Sequence, residues 1–377
     1  MSTQGSFFPQ HNNFICPWIT LPDPFQTGRL NIASDTTRAV VSEIVASHYS
    51  ARPYIDVMQR LIAYGMPAEA KPLLWSSSQE KINDVFFHSS HAECEAPGDL
   101  FAMAVASAFL SLEAELAAGS TVSEELGNAA RWALIKAMEL MLLPGSFSSK
   151  RPENFRKPVR RDGGPAVAVV DGRIVEVDGI KPAVVVHPSM RRWVRMHGSF
   201  FVVTQALINV QTRLQSAVSH NDLDEAESLL MAAAMLFRGT RAIFEISTDF
   251  DPQEFKNIVR PTMEKQTYPG FSGTRQLDHA VLLNIMKKGK SLIGSTRYLR
   301  SEAYGAYITA LSEAYDAHAM VCERFVGDGP SLSQKRDSGI GAADMIRSRL
   351  KTRALSLAGT EPITNTESIT KKEKDLA

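Results

Sequence analysis

A histidine and a cysteine near the end of the chain stand four residues apart, in the segment AYDAHAMVCERF. If this segment is helical, His318 and Cys322 lie on one face, about 6 Å apart along the helix axis. The imidazole could then bind an iron atom while the thiol, one turn later, reaches the edge of a porphyrin ring. The alternative is that both side chains fill core space, since cysteine is among the most frequently buried residue types. The pair by itself leaves both interpretations open.

A second histidine, His279, precedes His318 with about 38 residues between them. This interval is long enough for a helix, a turn and an antiparallel return, so two packed helices could present both imidazoles to a common centre. Spacing alone favours a simpler interpretation, in which His279 caps a helix or lies in the core. The chain contains no CxxCH motif, which excludes ordinary c-type haem attachment, and no closely spaced cysteine pair, which excludes structural zinc.

Long helices are needed to hold these residues, and helical periodicity dominates the chain. Apolar spacing over 34–63 predicts two helices, with the break at Pro53. Ser123 is predicted as a helix N-cap, Asp222 begins a capping-box pattern, and Gly119 is predicted to end the helix before it. The further predicted helices cover 98–119, 121–145, 198–219, 221–247, 279–286 and 297–327.

In the middle of the chain the spacing of apolar residues changes from a helical to an alternating pattern, which predicts a small β-ribbon. Asp-Gly turns at 171–172 and 178–179 separate runs of β-branched residues, which favours a three-stranded ribbon over about 165–187. One such ribbon in a long helical chain is typical of an insertion, so the predicted class is all-α. The predicted divisions are an irregular N-terminal arm (1–30), a helical domain (31–330) and a mobile polar C-terminal tail (331–377) with a short helix around Ala342–Leu355.

Composition limits the classes of partner and compartment. The 377 residues are 44% hydrophobic, and 41 basic residues balance 41 acidic ones. This balance argues against nucleic acid or an anionic membrane as the main partner. The N-terminus lacks the pattern of a secretory signal, and no stretch approaches the ~20 apolar residues that span a bilayer. Three widely spaced cysteines do not form a disulfide framework, so we expect a soluble, cytoplasmic protein.

The segment YGAYITALSEAYDAHAMVCERF resembles the proximal-ligand helix of the histidine-ligated haem dioxygenases, the indoleamine and tryptophan 2,3-dioxygenase superfamily. The preceding RPTMEKQTYPGFSG resembles the Gly/Ser-rich loop that those enzymes hold over the haem. The complete pattern, a histidine, an interval of about 38 residues and then His-x-x-x-Cys, is more specific. It resembles the haem-dependent 3-methyl-L-tyrosine hydroxylases of saframycin- and safracin-type antibiotic biosynthesis.

The resemblance implies the fold, the cofactor and the residues that bind it. It implies a haem-binding helical bundle of the tryptophan dioxygenase-like type, with the small β-ribbon inserted. His279 and His318 would be the axial haem ligands, and Cys322 would form a single thioether bond to the haem. We expect His318 to be the ligand that stays bound and His279 to be the one that leaves. Around the Gly/Ser-rich loop, the predicted haem contacts are Ser272, Gly273 and Arg275.

The same resemblance implies hydroxylation of 3-methyl-L-tyrosine to 3-hydroxy-5-methyl-L-tyrosine, with hydrogen peroxide as oxidant. Cleavage of the O–O bond needs a proton donor, and FFHSSHAECEAPGDLF offers His88 and His91 early in the chain. The alternatives for this segment are a metal-binding pair or an ordinary polar loop. A carboxylate-binding arginine is also needed, and the candidates are Arg238, Arg241, Arg260 and Arg275. The basic segment HPSMRRWVRMHG is assigned to the surface or to a haem propionate.

Three rival functions remain open at this stage. Ring opening of an indole would need a vacant haem position and no tether, so Cys322 argues against it. An electron carrier or haem sensor would need two histidine ligands but no substrate pocket. A haem-free helical interaction protein is the remaining alternative. The expected partners are a tyrosine derivative and hydrogen peroxide, without nucleic acid or membrane, and a homodimer is compatible with the sequence but not required by it.

Overall fold

The structure is a computed structural model of the chain. It describes residues 19–24, 29–46, 51–63, 70–72, 86–87, 89–143, 167–170, 173–176, 187–266, 276–294, 301–327, 343 and 346–348. The helices are α1 (Asp35–Ala46), α2 (Ala51–Ala63), α3 (Pro97–Ala117), α4 (Glu124–Leu142), α5 (Pro188–Ser219), α6 (Leu223–Ser247), α7 (Pro252–Glu254), α8 (Arg260–Gln266), α9 (Leu277–Gly294) and α10 (Glu302–Val326), with a π-helical turn (Phe255–Val259) between α7 and α8. The strands are β1 (Ile19–Pro22), β2 (Lys71–Pro72), β3 (Ser89–Glu93), β4 (Val167–Val170) and β5 (Arg173–Glu176).

Helices α5 and α6 form the centre of the core. They pack against each other, and α10 and α4 pack on α6 while α9 and α3 pack on α5. Nearly every side chain in the middle of α5, from Phe201 to Gln211, is buried, as expected for a helix surrounded by others. The predicted all-α class with small β elements is therefore confirmed.

Local sequence signals set most helix ends. The Ser123 hydroxyl accepts a hydrogen bond from the Leu126 amide, and the Asp222 carboxylate accepts one from the Glu225 amide, as the predicted N-caps require. Gly119 follows α3 with a φ of 96°, a conformation that favours glycine. These predicted boundaries are confirmed.

Two predicted helix boundaries differ from the structure. Helix α1 ends at Ala46 and α2 begins at Ala51, so Pro53 is in the first turn of α2, where a missing amide costs no intrahelical hydrogen bond. Helix α5 begins at Pro188 rather than at 198, with His187 as its N-cap. The basic segment after His187 is therefore the first part of α5.

The β structure is larger than the sequence predicts. Strands β1, β3 and β2 form a sheet in the order β1-β3-β2, with β1 and β3 parallel and β2 antiparallel to β3. Strand β1 lies in the stretch predicted as an irregular arm, and β3 lies in the stretch for which a polar loop was one alternative. Too few residues alternate in either strand to reveal it. Strands β4 and β5 form the predicted ribbon, and its predicted third strand lies outside the described residues.

The expectation that no stretch is apolar enough to span a membrane is wrong for helix α3. By length and composition this 21-residue helix passes that test. However, most of its side chains are buried against α2, α4 and α5. A core helix of a folded domain has the same composition, and its burial here explains the apolar residues without a membrane.

The close approach of α4 and α6 makes Gly239 a sensitive position. A Cβ atom at Gly239 would overlap the side chain of Ala133, whereas one at Gly305 on α10 would meet nothing within 4 Å. We expect Gly239→Ala to lower the free energy of unfolding by about 1–3 kcal/mol through overpacking. Gly305→Ala, the matched control, should raise it by roughly 0.5–1 kcal/mol because alanine favours the helix. Chemical denaturation measures both, and equal effects at the two positions would contradict the packing.

Candidate active site

One cavity lies between α5, α6, α9 and α10. Its volume is about 710 Å³, including the part open to solvent, and its walls are mainly apolar. The described residues that line it are Phe200, Thr204, Leu207, Phe237, Thr240, Phe244, His279, Leu282, Leu283, Met286, Leu311, Ala314, Tyr315, His318 and Ile346. The sequence could identify the two histidines, but the opposite wall comes from helices that carry no sequence signal for a site.

His279 and His318 both lie in the wall of this cavity, each against a phenylalanine. The His318 ring stacks on Phe244, with centroids 5.1 Å apart and an interplanar angle of 20°. The His279 ring tilts against Phe200 at 5.8 Å, and the two phenylalanines are 5.3 Å apart. The four rings thus form a continuous row that connects α9, α5, α6 and α10.

The helix packing that brings the two histidines to one cavity differs from the predicted packing. Helix α9 packs mainly on α5, and α10 packs mainly on α6, rather than the two histidine-bearing helices packing as an antiparallel pair. Helix α9 therefore brings His279 to the cavity along α5, and α10 brings His318 to it along α6. Spacing along the chain could not reveal this arrangement, because it depends on which helices lie between.

Cys322 lies one turn beyond His318, at the edge of the region around the cavity. Its side chain is partly buried and packs with Ala319, Ala343 and Ile346. Ile346 also lines the cavity, so the C-terminal segment contacts both the thiol and the cavity wall. Burial, with a smaller effect from the neighbouring Glu323 carboxylate, raises the pKa of the Cys322 thiol to about 11. The thiol is therefore protonated at neutral pH.

His91 does not lie in the cavity wall, in contrast to the predicted role as a proton donor there. It is in β3, 4% exposed, and its Nε2 lies 2.8 Å from Oδ2 of the buried Asp278 carboxylate. Asp278 is 187 residues away in the sequence, so no local pattern could identify this partner. His88, the other predicted donor, lies outside the described residues.

A further histidine, His197, was missed by the sequence analysis. It lies on α5, one turn before Phe200, and its ring stacks on Phe87 at 4.5 Å. Its Nδ1 donates to the Trp193 carbonyl at 2.7 Å. Burial, with a smaller contribution from repulsion by His318, lowers the pKa of His197 to about 4. His197 is therefore a neutral imidazole near the cavity, and its only sequence signal is its place on the face of α5 that carries Phe200 and Thr204.

Three of the predicted carboxylate-binding arginines are among the described residues, and none of these three lines the cavity. Arg241 pairs with Glu245 on its own helix, and Arg260 pairs with Glu264 in the same way. Arg238 is exposed on α6. The other predicted contacts, Arg275, Ser272 and Gly273, lie outside the described residues.

The basic segment at the start of α5 binds carboxylates within the protein. Arg191, Arg192 and Arg195 all contact the buried Glu115 carboxylate of α3, and Arg192 also contacts Asp249. Burial raises the pKa of the Glu115 carboxyl group, but the guanidinium groups of Arg191 and Arg195 have the larger combined effect and hold this pKa below its usual value. This cluster joins α3 to α5 and replaces the predicted surface or propionate role.

The donor set at the cavity fits a haem better than other metal centres. Among the described residues there is no group of three histidine, cysteine or acidic side chains suited to a metal ion. Two imidazoles in the wall of one mainly apolar cavity are the donors that a haem with two histidine ligands would need. The partly buried thiol one turn beyond His318 is compatible with an attachment at the rim.

Comparison with known sequences supports this interpretation. The sequence model of the SfmD 3-methyl-L-tyrosine peroxygenase family matches residues 20–305, which is most of the chain. The chain belongs to this family. The match contains His279 but ends before His318 and Cys322. The placement in the wider tryptophan dioxygenase-like superfamily stays a prediction.

A curated relative and a solved structure agree with membership of the SfmD family. A protein of Streptomyces lavendulae, named 3-methyl-L-tyrosine peroxygenase, is 32% identical over 171 residues, 45% of this chain. The match spans about half the length of that relative (47%). A crystal structure of reduced SfmD, soaked with sodium hydrosulfite, aligns with a TM-score of 0.57 at 22% identity, over 81% of this chain and 97% of that one. At this identity the structural likeness shows a shared fold.

Proposed function

We propose that this protein is a haem-dependent peroxygenase that hydroxylates 3-methyl-L-tyrosine to 3-hydroxy-5-methyl-L-tyrosine, with hydrogen peroxide as oxidant. The observation that carries the proposal is the position of His279 and His318 in the wall of one cavity. Family membership supports it, since the family and the Streptomyces lavendulae relative are both named for 3-methyl-L-tyrosine peroxygenation. We further propose a place in antibiotic biosynthesis, in the cytoplasm.

His279 and His318 would hold the haem iron, which supplies the centre that activates peroxide when the cofactor is bound. If both imidazoles held the iron, one of them would have to move away before peroxide could bind. We assign His318 as the retained ligand, because Cys322 on the same helix would anchor its side of the cofactor. His279 is then the imidazole that moves.

The walls of the cavity suit an aromatic amino acid. Phe237 and Tyr315 offer apolar and aromatic surface to a substrate ring. The Thr204 hydroxyl donates to the Phe200 carbonyl at 2.8 Å, and the Thr240 hydroxyl donates to a carbonyl of its own helix. Each threonine oxygen therefore keeps lone pairs that can accept a hydrogen bond, such as one from the substrate phenol. The proton donor to peroxide stays a prediction at His88.

Cys322 is proposed to form a single thioether bond to a haem vinyl group. Such an attachment would add the S–H group across the vinyl double bond, with the sulfur bonded to one carbon and the hydrogen to the other. No oxidant or reductant is consumed in this step. The protonated state of the thiol, which follows from its raised pKa, matches this stoichiometry.

The proposed function is tested by turnover of the purified haem-loaded protein. With 3-methyl-L-tyrosine and ¹⁸O-labelled hydrogen peroxide, we expect a catechol product that has gained one labelled oxygen atom, measured by mass spectrometry. L-tyrosine and L-tryptophan serve as comparison substrates. A ring-opened indole from tryptophan, or haem binding without any turnover, would contradict the proposal and favour a dioxygenase or a haem sensor.

A further inference from the structure

The His91–Asp278 contact belongs to a buried cluster that joins the first turn of α9 to three other elements. Besides His91 of β3, the Asp278 carboxylate contacts Gln205 of α5, whose Nε2 lies 2.9 Å from Oδ1. Gln276, which directly precedes α9, donates to Oδ2. The Gln205 Nε2 also donates to the Pro22 carbonyl of β1 at 2.6 Å. The cluster therefore connects both parallel strands and the central helix to the start of α9.

The charge on Asp278 determines the orientation of its neighbours. Both of its oxygens accept hydrogen bonds, Oδ1 from the Gln205 amide and Oδ2 from the Gln276 amide, and Oδ2 also lies 2.8 Å from His91 Nε2. A carboxylate has only acceptor atoms, so each of its three neighbours must present an N–H group. His91 is thus protonated at Nε2, and the Gln205 amide is oriented with its nitrogen between two acceptors.

Asp278 is directly followed by His279, so the cluster acts on the residue that faces the cavity. The His279 amide donates to Oε1 of Gln276 at 3.1 Å, and the Ala280 amide donates to the Gln276 carbonyl at 3.0 Å. Gln276 therefore both caps the turn and contacts the carboxylate. A helix end has several amides without intrahelical partners, and these contacts bind the first turn in one position.

We propose that His91 and Asp278 are positioning residues: through Gln205 and Gln276 they hold the first turn of α9 so that His279 stays in the cavity wall that it shares with His318. The proposal rests on the proposed function insofar as it assigns His279 to the haem. The fixed backbone lets the imidazole of His279 leave by side-chain rotation and return to the same place. We call the four side chains of His91, Asp278, Gln205 and Gln276 the α9 clamp.

The test uses Asp278→Asn and two variants of His91. Asn at 278 keeps the size but loses the charge and presents an N–H group to donors. His91→Leu removes the hydrogen-bond donor to Asp278. His91→Gln keeps an amide nitrogen near the position of Nε2 and should preserve the contact with the carboxylate. Glu139→Gln is the matched control, because it breaks another buried ion pair, with Lys136 on α4, that lies away from the cavity.

Hydrogen exchange of the haem-free protein gives the first readout. In Asp278→Asn and His91→Leu, we expect the amides of 279–281 to exchange at least about tenfold faster, because a buried group is left unsatisfied. In the haem-loaded protein, the same variants should lose part of the six-coordinate low-spin spectrum, and kcat should fall more than KM changes. His91→Gln should stay close to the parent protein in all three measurements.

Unchanged exchange at 279–281 in both disruptive variants would overturn the α9 clamp. An equal local increase in Glu139→Gln would also overturn it, since the effect would then reflect general destabilisation. If the parent protein binds no haem, the proposed function fails, while exchange in the haem-free protein still decides the clamp. If Asp278→Asn does not fold, the comparison of His91→Leu with His91→Gln decides whether the α9 clamp positions this turn.

Discussion

Replacement of His318 with alanine is expected to abolish hydroxylation and to lower haem affinity by at least about 10- to 100-fold, the loss that removal of a mere outer-shell partner of a ligand causes. The imidazole stacks on Phe244 in the cavity wall, and no other described side chain of α10 that lines the cavity is a nitrogen ligand. Titration of the haem-free protein with haem, followed by absorption spectroscopy, measures the affinity. Free imidazole should restore part of the low-spin spectrum, because the substitution leaves a space of the right shape.

The matched control is His220→Ala, which removes an exposed imidazole at the C-terminal end of α5. Its haem affinity and turnover should equal those of the parent protein. If His318→Ala binds haem with an unchanged spectrum, His318 is not a ligand, and its stacking on Phe244 is only core packing. In that case the cavity would need a different donor set, and the bis-histidine assignment would be wrong.

Replacement of Cys322 with serine is expected to convert a covalently attached haem into one that is fully extracted by acidified organic solvent. Serine keeps the size of the side chain, but its hydroxyl does not add to a vinyl group under the same conditions. We expect the parent protein to retain its haem through denaturation and extraction. The mass of the intact chain, measured with and without haem, reports the attachment directly.

Cys94→Ala is the control, because Cys94 packs in a separate small cluster with Ala92 and Leu100. Haem should stay attached in this variant. Extraction of haem from the parent protein would show that no thioether forms, while His279 and His318 could still bind haem without a covalent bond. Whether haem is retained or extracted therefore tests the thioether bond independently of the assignment of His279 and His318 as ligands.

Several features of the structure followed from short stretches of sequence. Ser123 and Asp222 cap helices because the capping atoms and the amides that they bind are three residues apart. His318 and Cys322 are one turn apart because both lie on α10. These features depend on covalent geometry and local hydrogen bonds, so the local sequence determines them without knowledge of the rest of the chain.

The surroundings of the two histidines were decided by tertiary structure alone. His91 could be predicted as a chemically competent residue, but its partner Asp278 lies 187 residues away and is reached only through the packing of β3 against α5 and α9. The phenylalanines behind His279 and His318 come from the central helix pair, whose apolar residues look the same in any buried helix. Burial also set the neutral state of His197 and the protonated state of Cys322. The sequence by itself determined which residues can bind and attach a haem, whereas long-range packing decided what each one faces, because contact and dielectric environment depend on segments far apart in the chain.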